Sequence, residues 1–194
     1  MPAIIDHAQA RADIAELAGA IVADEGLSAL TIRRMAEAAG TSRAIVATYF
    51  TNMPDLIAAT FQAVADRQAL RIETAEAAGL GLHGGVEALL PLDATRLHDW
   101  KILVAFLGIS ITDTDLAAVA RYRHDHAVPR FERLLLAEYE LPRSTALTKR
   151  EARRIVNNLH GRAIDLTFQD IPKRSARERR RIVDEILSGS LLEQ

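Results

Sequence analysis

Cysteine is absent from the 194 residues, which removes disulfides, zinc-thiolate sites and thiol nucleophiles together and fits a reducing compartment. Aromatic residues make up only 5% of the chain, and β-branched residues rarely alternate with polar ones, so the period-two pattern of half-buried strands is missing. No uncharged apolar run reaches membrane-spanning length, and the opening residues are followed at once by Asp6, Asp13 and Glu16, unlike a secretory leader. These absences point to a cytoplasmic protein with no membrane partner. Catalytic signatures are missing too: neither G-x-S-x-G nor H-E-x-x-H occurs, so an enzyme would have to assemble its site from scattered residues. Gly79, Gly81 and Gly84 spell G-x-G-x-x-G, but a helical pattern precedes them where a nucleotide fingerprint needs a strand. His124 and His126 flank Asp125, yet side chains two residues apart on a helix diverge, which makes them poor joint metal ligands. No metal and no cofactor is expected.

What the chain has in quantity is helix-forming residues. Nearly half of it is hydrophobic, and Ala, Leu, Arg and Glu dominate, so an all-α fold with no sheet is expected. Ile14, Leu17, Ala18, Ile21 and Val22 fall at helical spacing before Gly26, predicting a helix over about 7–24. A second short helix is expected over 31–39, a break at Gly40, and a third to about 48 capped by Thr41 or Ser42. Asn52 then caps a long helix to about 78, with Pro54 tolerated in its first turn. The glycine-rich 79–85 reads as a flexible joint before a short helix ending at Pro91, and another helix covers 93–109. A turn at 110–113 leads to a helix over 114–139, in which Pro129 predicts a kink rather than a division. Thr148 with Glu151, and Ser175 with Glu178, read as capping boxes that start the last helices, 149–169 and 176–192.

Function enters with the segment 31–50. Ala36, Gly40 and Val46 have the spacing of a helix-turn-helix: a small residue where the helices cross, a glycine for the tight turn, and an apolar plug from the second helix. The preceding helix, the run GLSALTIRRMAEAAGTSRAIVATYF, and Tyr49, Phe50, Asn52 and Leu56 leading into the long helix together resemble the TetR family of bacterial repressors over about residues 7–60. The later helices are similar to that family in number and length, and the stretch around Trp100 is similar to its choline-responsive branch.

The resemblance implies a three-helix DNA-binding domain at 1–51, joined by a long fourth helix to an antiparallel helical ligand-binding and dimerisation body at 52–194. Its third helix would lie in the major groove of a double-stranded operator. Thr41, Ser42 and Arg43 stand at the start of that helix. Arg43 would contact either guanine or phosphate, while Ala44 and the Thr48 methyl would meet thymine methyls. Thr31, Arg33 and Tyr49 are expected on phosphates. The family commonly places a lysine just after the asparagine, but here Met53 and Pro54 follow Asn52, so one phosphate anchor is missing.

Charge is distributed against this reading. Residues 1–60 hold four basic side chains (Arg11, Arg33, Arg34, Arg43) against seven acidic, whereas residues 149–181 hold eleven basic against four acidic. Arg177, Arg179, Arg180 and Arg181 are therefore a rival nucleic-acid patch. Consecutive arginines spread around a helix, however, and interleaved Ile155, Leu159, Leu166, Ile182, Ile186 and Leu187 have an apolar face to bury. The resemblance implies that these six form a homodimer interface with arginines at its rim. A small-molecule effector is expected in the body, with Trp100, Leu103, Phe106, Tyr122, His126, Asn158 and Phe168 as wall candidates, because a ligand pocket combines apolar and aromatic walls with a few polar groups. The expected function is a ligand-responsive repressor without enzymatic activity; the alternative is a helical binding protein or enzyme that keeps the N-terminal motif as scaffold.

Overall fold

A computed structural model of the chain describes residues 7–169, 174–190 and 192, and all regular structure among them is helical. In order these are α1 (His7–Glu25), a 3₁₀ turn (Leu27–Ala29), α2 (Ile32–Ala38), α3 (Arg43–Tyr49), α4 (Met53–Ala77), α5 (Gly81–Leu89), α6 (Ala94–Ser110), α7 (Thr114–Glu138), α8 (Ala146–Thr167) and α9 (Ala176–Leu187). They form two compact units: residues up to 66 with 101–120, and residues 67–100 with 121 onward.

In the first unit, Ala15, Ala18, Ile21 and Val22 of α1 pack with Met35, Val46, Leu56 and Phe61 into one core. Gly19 lets α1 approach α6 closely, since a Cβ there would stand 3.0 Å from Ile102 Cδ1. Phe61 and Phe106 stack with centroids 3.8 Å apart. The second unit is built around Trp100, Phe131, Leu134, Leu135, Ile155 and Leu159.

Several boundaries differ from those the pattern predicts. The expected joint at 79–85 is mostly the first half of α5, in which Gly85 is buried and a Cβ would meet Leu134 Cδ1 at 2.5 Å. Those glycines serve close helix packing rather than flexibility. α8 begins three residues before the predicted start: Thr145 is the cap, accepting from Thr148 N and donating its own N–H to Thr148 Oγ1. Glu151 is 1% exposed and takes two bonds from Arg154, so it is unavailable as a capping partner. The second predicted box is present, with Ser175 and Glu178 bonding each other reciprocally. α9 ends at Leu187 rather than 192, and position 191 lies outside the described residues. Pro129 leaves α7 undivided, and one residue on, Arg130 Nη1 donates to the His126 carbonyl at 2.9 Å.

Candidate nucleic-acid interface

The N-terminal motif is assembled by caps and one turn. Thr31 accepts from Arg34 N at 3.1 Å and starts α2. Gly40, at φ 61°, lets the chain reverse, and Thr41 N returns to the Ala36 carbonyl at 3.0 Å, the hydrogen bond of a Schellman turn. Of the two possible caps, Ser42 is the one used, accepting from Ile45 N at 3.3 Å. Ala36 is buried between the helices and Val46 is fully buried, so all three residues of the sequence triplet hold the positions their chemistry demands.

With Val46 inward, α3 turns Arg43, Ala44, Ile45, Ala47 and Thr48 to solvent. Thr31, Arg33 and Ser42 are likewise exposed, while Thr41 and Tyr49 are half-buried. The predicted DNA-contacting residues thus fall on the outer surface of the two motif helices and their flanks. Sequence reading passed over Ile45, which is 48% exposed. The signal was its place next to Val46: one residue along a helix is a turn of 100°, away from the core.

Acidic neighbours offset most of the cationic charge. Arg33 pairs with Glu37 at 3.0 Å and Arg34 with Glu25 at 2.5 Å. The Arg34 hydrogen bond holds the Glu25 carboxyl below its ordinary range. Arg11 reaches from α1 to the junction of α3 and α4. Its guanidinium donates to the Tyr49 carbonyl, pairs with Asp55 at 2.5 Å and lies 4.3 Å from the centre of the Phe50 ring. Asp55 also accepts from Thr51 N at 2.9 Å, and Asn52 Oδ1 caps α4 by accepting from Asp55 N at 2.9 Å. The Arg11 bond is the first cause of a lowered Asp55 pKa. Among the described residues of the motif, Arg43 has no acidic partner, which leaves its guanidinium available to a base edge or phosphate.

The predicted effector residues divide between the units. Leu103 and Phe106 are buried in the first, where Phe106 borders a small apolar cleft with Val22, Thr60 and Ile102, too narrow for more than a water-sized guest. In the second, Trp100 is 1% exposed and its indole N–H donates to the Leu89 carbonyl at 2.6 Å. Tyr122 and His126 lie tilted against each other on the exposed side of α7 with centroids 3.8 Å apart, Phe168 is 77% exposed, and Asn158 donates to the Ile186 carbonyl at 3.2 Å. Trp100 is instead joined by His160, edge-on at 5.7 Å, and His160 by His124 at 5.8 Å. His160 was missed because its surroundings come from three helices distant in sequence. Burial first, then the neighbouring His124, lowers its pKa to about 4.

The predicted interface residues Ile155, Leu159, Leu166, Ile182 and Ile186 are each at most 3% exposed within the single chain, and Leu187 is half-buried. They are thus covered within the single chain where α8 meets α9, a seam that Arg154 also ties by donating to the Leu187 and Ser188 carbonyls. In the rival basic stretch, Arg179 pairs with Glu87 at 3.0 Å, Arg181 with Glu185 at 3.5 Å and Arg162 with Asp165 at 2.6 Å. Lys173 lies outside the described residues.

Known proteins resemble this geometry at two levels, the N-terminal motif and the fold. The model of the family described as "Bacterial regulatory proteins, tetR family" matches residues 14–60, the helices just described. No curated protein sequence matches the chain. Among solved structures, a transcriptional regulator from Rhodococcus sp. superposes with a TM-score of 0.80 at 20% identity, covering 94% of this chain and 96% of that one. A putative transcriptional regulator from Saccharomonospora viridis, solved in complex with choline, gives 0.72 at 19% identity over 94% and 97%. A putative TetR-family regulator from Mesorhizobium loti gives 0.70 at 17% over 97% and 98%. The family model thus covers the capped helix-turn-helix and the helices on either side of it, and the all-helical fold is shared with these regulators along almost the whole length of the chain.

Proposed function

We propose that the protein is a homodimeric repressor that releases a palindromic operator when a small molecule binds its helical body. The observation that carries this is the α3 surface, where a buried Val46 anchors the helix and Arg43, Ala44 and Thr48 are left exposed, with no acidic partner for the arginine among the described residues. Thr31, Arg33, Thr41, Ser42 and Tyr49 are the flanking contacts of this reading, and residues 1–51 and 52–194 its two functional domains. It is a cytoplasmic regulator and not an enzyme; no helix among the described residues is long and apolar enough to cross a membrane.

Coupling runs along α4. At its start, Asn52 caps it and Asp55 ties it to the end of α3 through Arg11. Further along, Arg67 and Arg71 hold the buried Asp99 of α6 at 2.5 and 2.7 Å. An effector that binds the body near Trp100, His160 and His124 and prefers a different placement of α6 shifts α4, and with it the reading helices. The choline held by the Saccharomonospora viridis protein supports an effector-binding body and supplies a first compound to test.

A dimer through α8 would use the side turned away from the chain's own core. Leu147, Arg150, Asn157, Gly161 and Phe168 are exposed there at spacings of three, four or seven residues, and Ile164 is half-exposed. A Cβ on Gly161 would meet nothing within 4 Å, so this face has room for a close helix from a second copy.

Selection of bound sequences from a random DNA pool by the full-length protein tests the reading. An enriched palindrome is the expected result. A pool that stays unenriched, with turnover of a candidate compound by the same protein, would instead favour the helical enzyme.

A further inference from the structure

We propose that Ile45 is a specificity-determining residue that reads the C5 methyl group of an operator thymine. The proposal rests on α3 being the groove-bound helix and names the chemistry it reads. At 100° per residue, Ala44 and Thr48 stand opposite the buried Val46, with Ala47 on one flank and Ile45 on the other. The centre of this surface is therefore made of small side chains, which lets the backbone approach base edges closely.

Little hydrogen-bonding capacity remains on that face. The Thr48 hydroxyl donates to the Ile45 carbonyl at 2.6 Å, so its proton is engaged within the helix. The Ser42 oxygen accepts from Ile45 N at 3.3 Å. Arg43 is left as the long cationic donor, and Ile45 is the largest apolar group on the same short helix.

An exposed isoleucine there is not explained by the fold. It is 48% exposed while its neighbour Val46 is 0% exposed, so it adds little to the core, and a β-branched residue is a poorer helix former than the alanines at positions 44 and 47. In the major groove the thymine methyl is the apolar feature that an aliphatic side chain can recognise. Contact between the two removes apolar surface of both from water and requires no donor. Adenine–thymine pairs are thereby distinguished by shape and hydrophobicity, with Arg43 supplying one polar contact.

The test uses the full-length protein and the operator recovered from the random pool, with thymines replaced one at a time by deoxyuridine, which lacks only the methyl. Affinities are measured for the wild type, Ile45→Ala and Ile45→Val. At one thymine per half-site, the wild type should weaken about fourfold, the worth of one buried methyl, and about sixteenfold when both half-sites are changed. Ile45→Ala should bind the two operators equally, and Ile45→Val should lose an intermediate factor, which keeps the comparison available if the alanine variant is poorly folded. A wild type indifferent to every uridine, or an uridine effect that persists undiminished in both variants, would overturn the assignment of Ile45 while leaving the DNA-reading function standing. Recovery of no operator at all would overturn both.

Discussion

Arg43 and His160 carry opposite lessons about single side chains. Arg43 is exposed at the first position of α3 and has no acidic partner among the described residues, so its charge is not offset within the fold. Truncation to alanine is expected to weaken specific DNA binding by about 1 to 3 kcal/mol if a base edge is the partner, with helicity and thermal stability unchanged. Operator affinity equal to wild type in a titration at fixed salt would remove Arg43 from the interface. His160 is hemmed in by Trp100 and His124, and burial favours its neutral form. Its folded pKa of about 4 lies below the ordinary 6.5, so between those values the unfolded chain binds the extra proton. Its contribution to stability is complete above about pH 6.5 and is lost as pH falls towards 4, amounting to about 2 to 3 kcal/mol. Urea unfolding at pH 7 and pH 5 should therefore show a fall that is much smaller in His160→Gln. An identical pH dependence in the two proteins would mean that His160 is not the titrating group.

At the scale of elements, α3 is held at its end by a residue of another helix. Arg11 of α1 binds the last carbonyl of α3, covers Phe50 and pairs with Asp55 in the first turn of α4. Asp55 also favours that helix start through its charge. Both partners are roughly a third exposed, so solvent screens the attraction, and the pair is worth about 1 kcal/mol at most. Arg11→Ala and Asp55→Asn should each lower stability and operator affinity, and a double-mutant cycle should recover a coupling of about 0.5 to 1 kcal/mol. Additive effects would show that the two residues act independently. This link was not legible in the sequence: Arg11 and Asp55 are 44 positions apart, and neither periodicity nor spacing brings a helix-one arginine to a helix-four cap. The caps themselves were legible, because Thr31, Ser42, Asn52 and Ser175 act on backbone three residues away.

For the whole molecule, the burial along α8 and α9 bears on where a partner is sought. Apolar periodicity says that a helix face is covered, not what covers it. Ile155, Leu159 and Ile186 are covered by the chain itself, so a charge there would damage the fold whatever the oligomeric state. The outer α8 face is the informative place. Asn157→Arg combined with Phe168→Asp should reduce the mass in solution from that of a dimer to that of a monomer while retaining helicity, because two-fold symmetry sets each new charge in a shared interface. A mass unchanged from the dimer value would move the interface elsewhere.

The sequence by itself determined the features that depend on neighbours along the chain: helices from residue type and apolar period, the turn at Gly40, the Ser175 box, and the Ala36, Gly40 and Val46 triplet. Each is settled within about ten residues, a range over which backbone sterics and hydrogen bonding dominate. Tertiary structure decided the rest. Whether Glu151 caps a helix or takes an arginine pair, whether Asn158 and Trp100 are bonded to distant carbonyls, and which side of α8 remains exposed are questions about which helices meet. That meeting is governed by burial of apolar surface, which is non-directional and leaves no local mark in the order of residues. The candidate site residues therefore divide along the same line: the solvent-facing surface of a short capped helix could be read from its own seven residues, whereas the surroundings of Trp100 require α6, α7 and α8 to be packed together first.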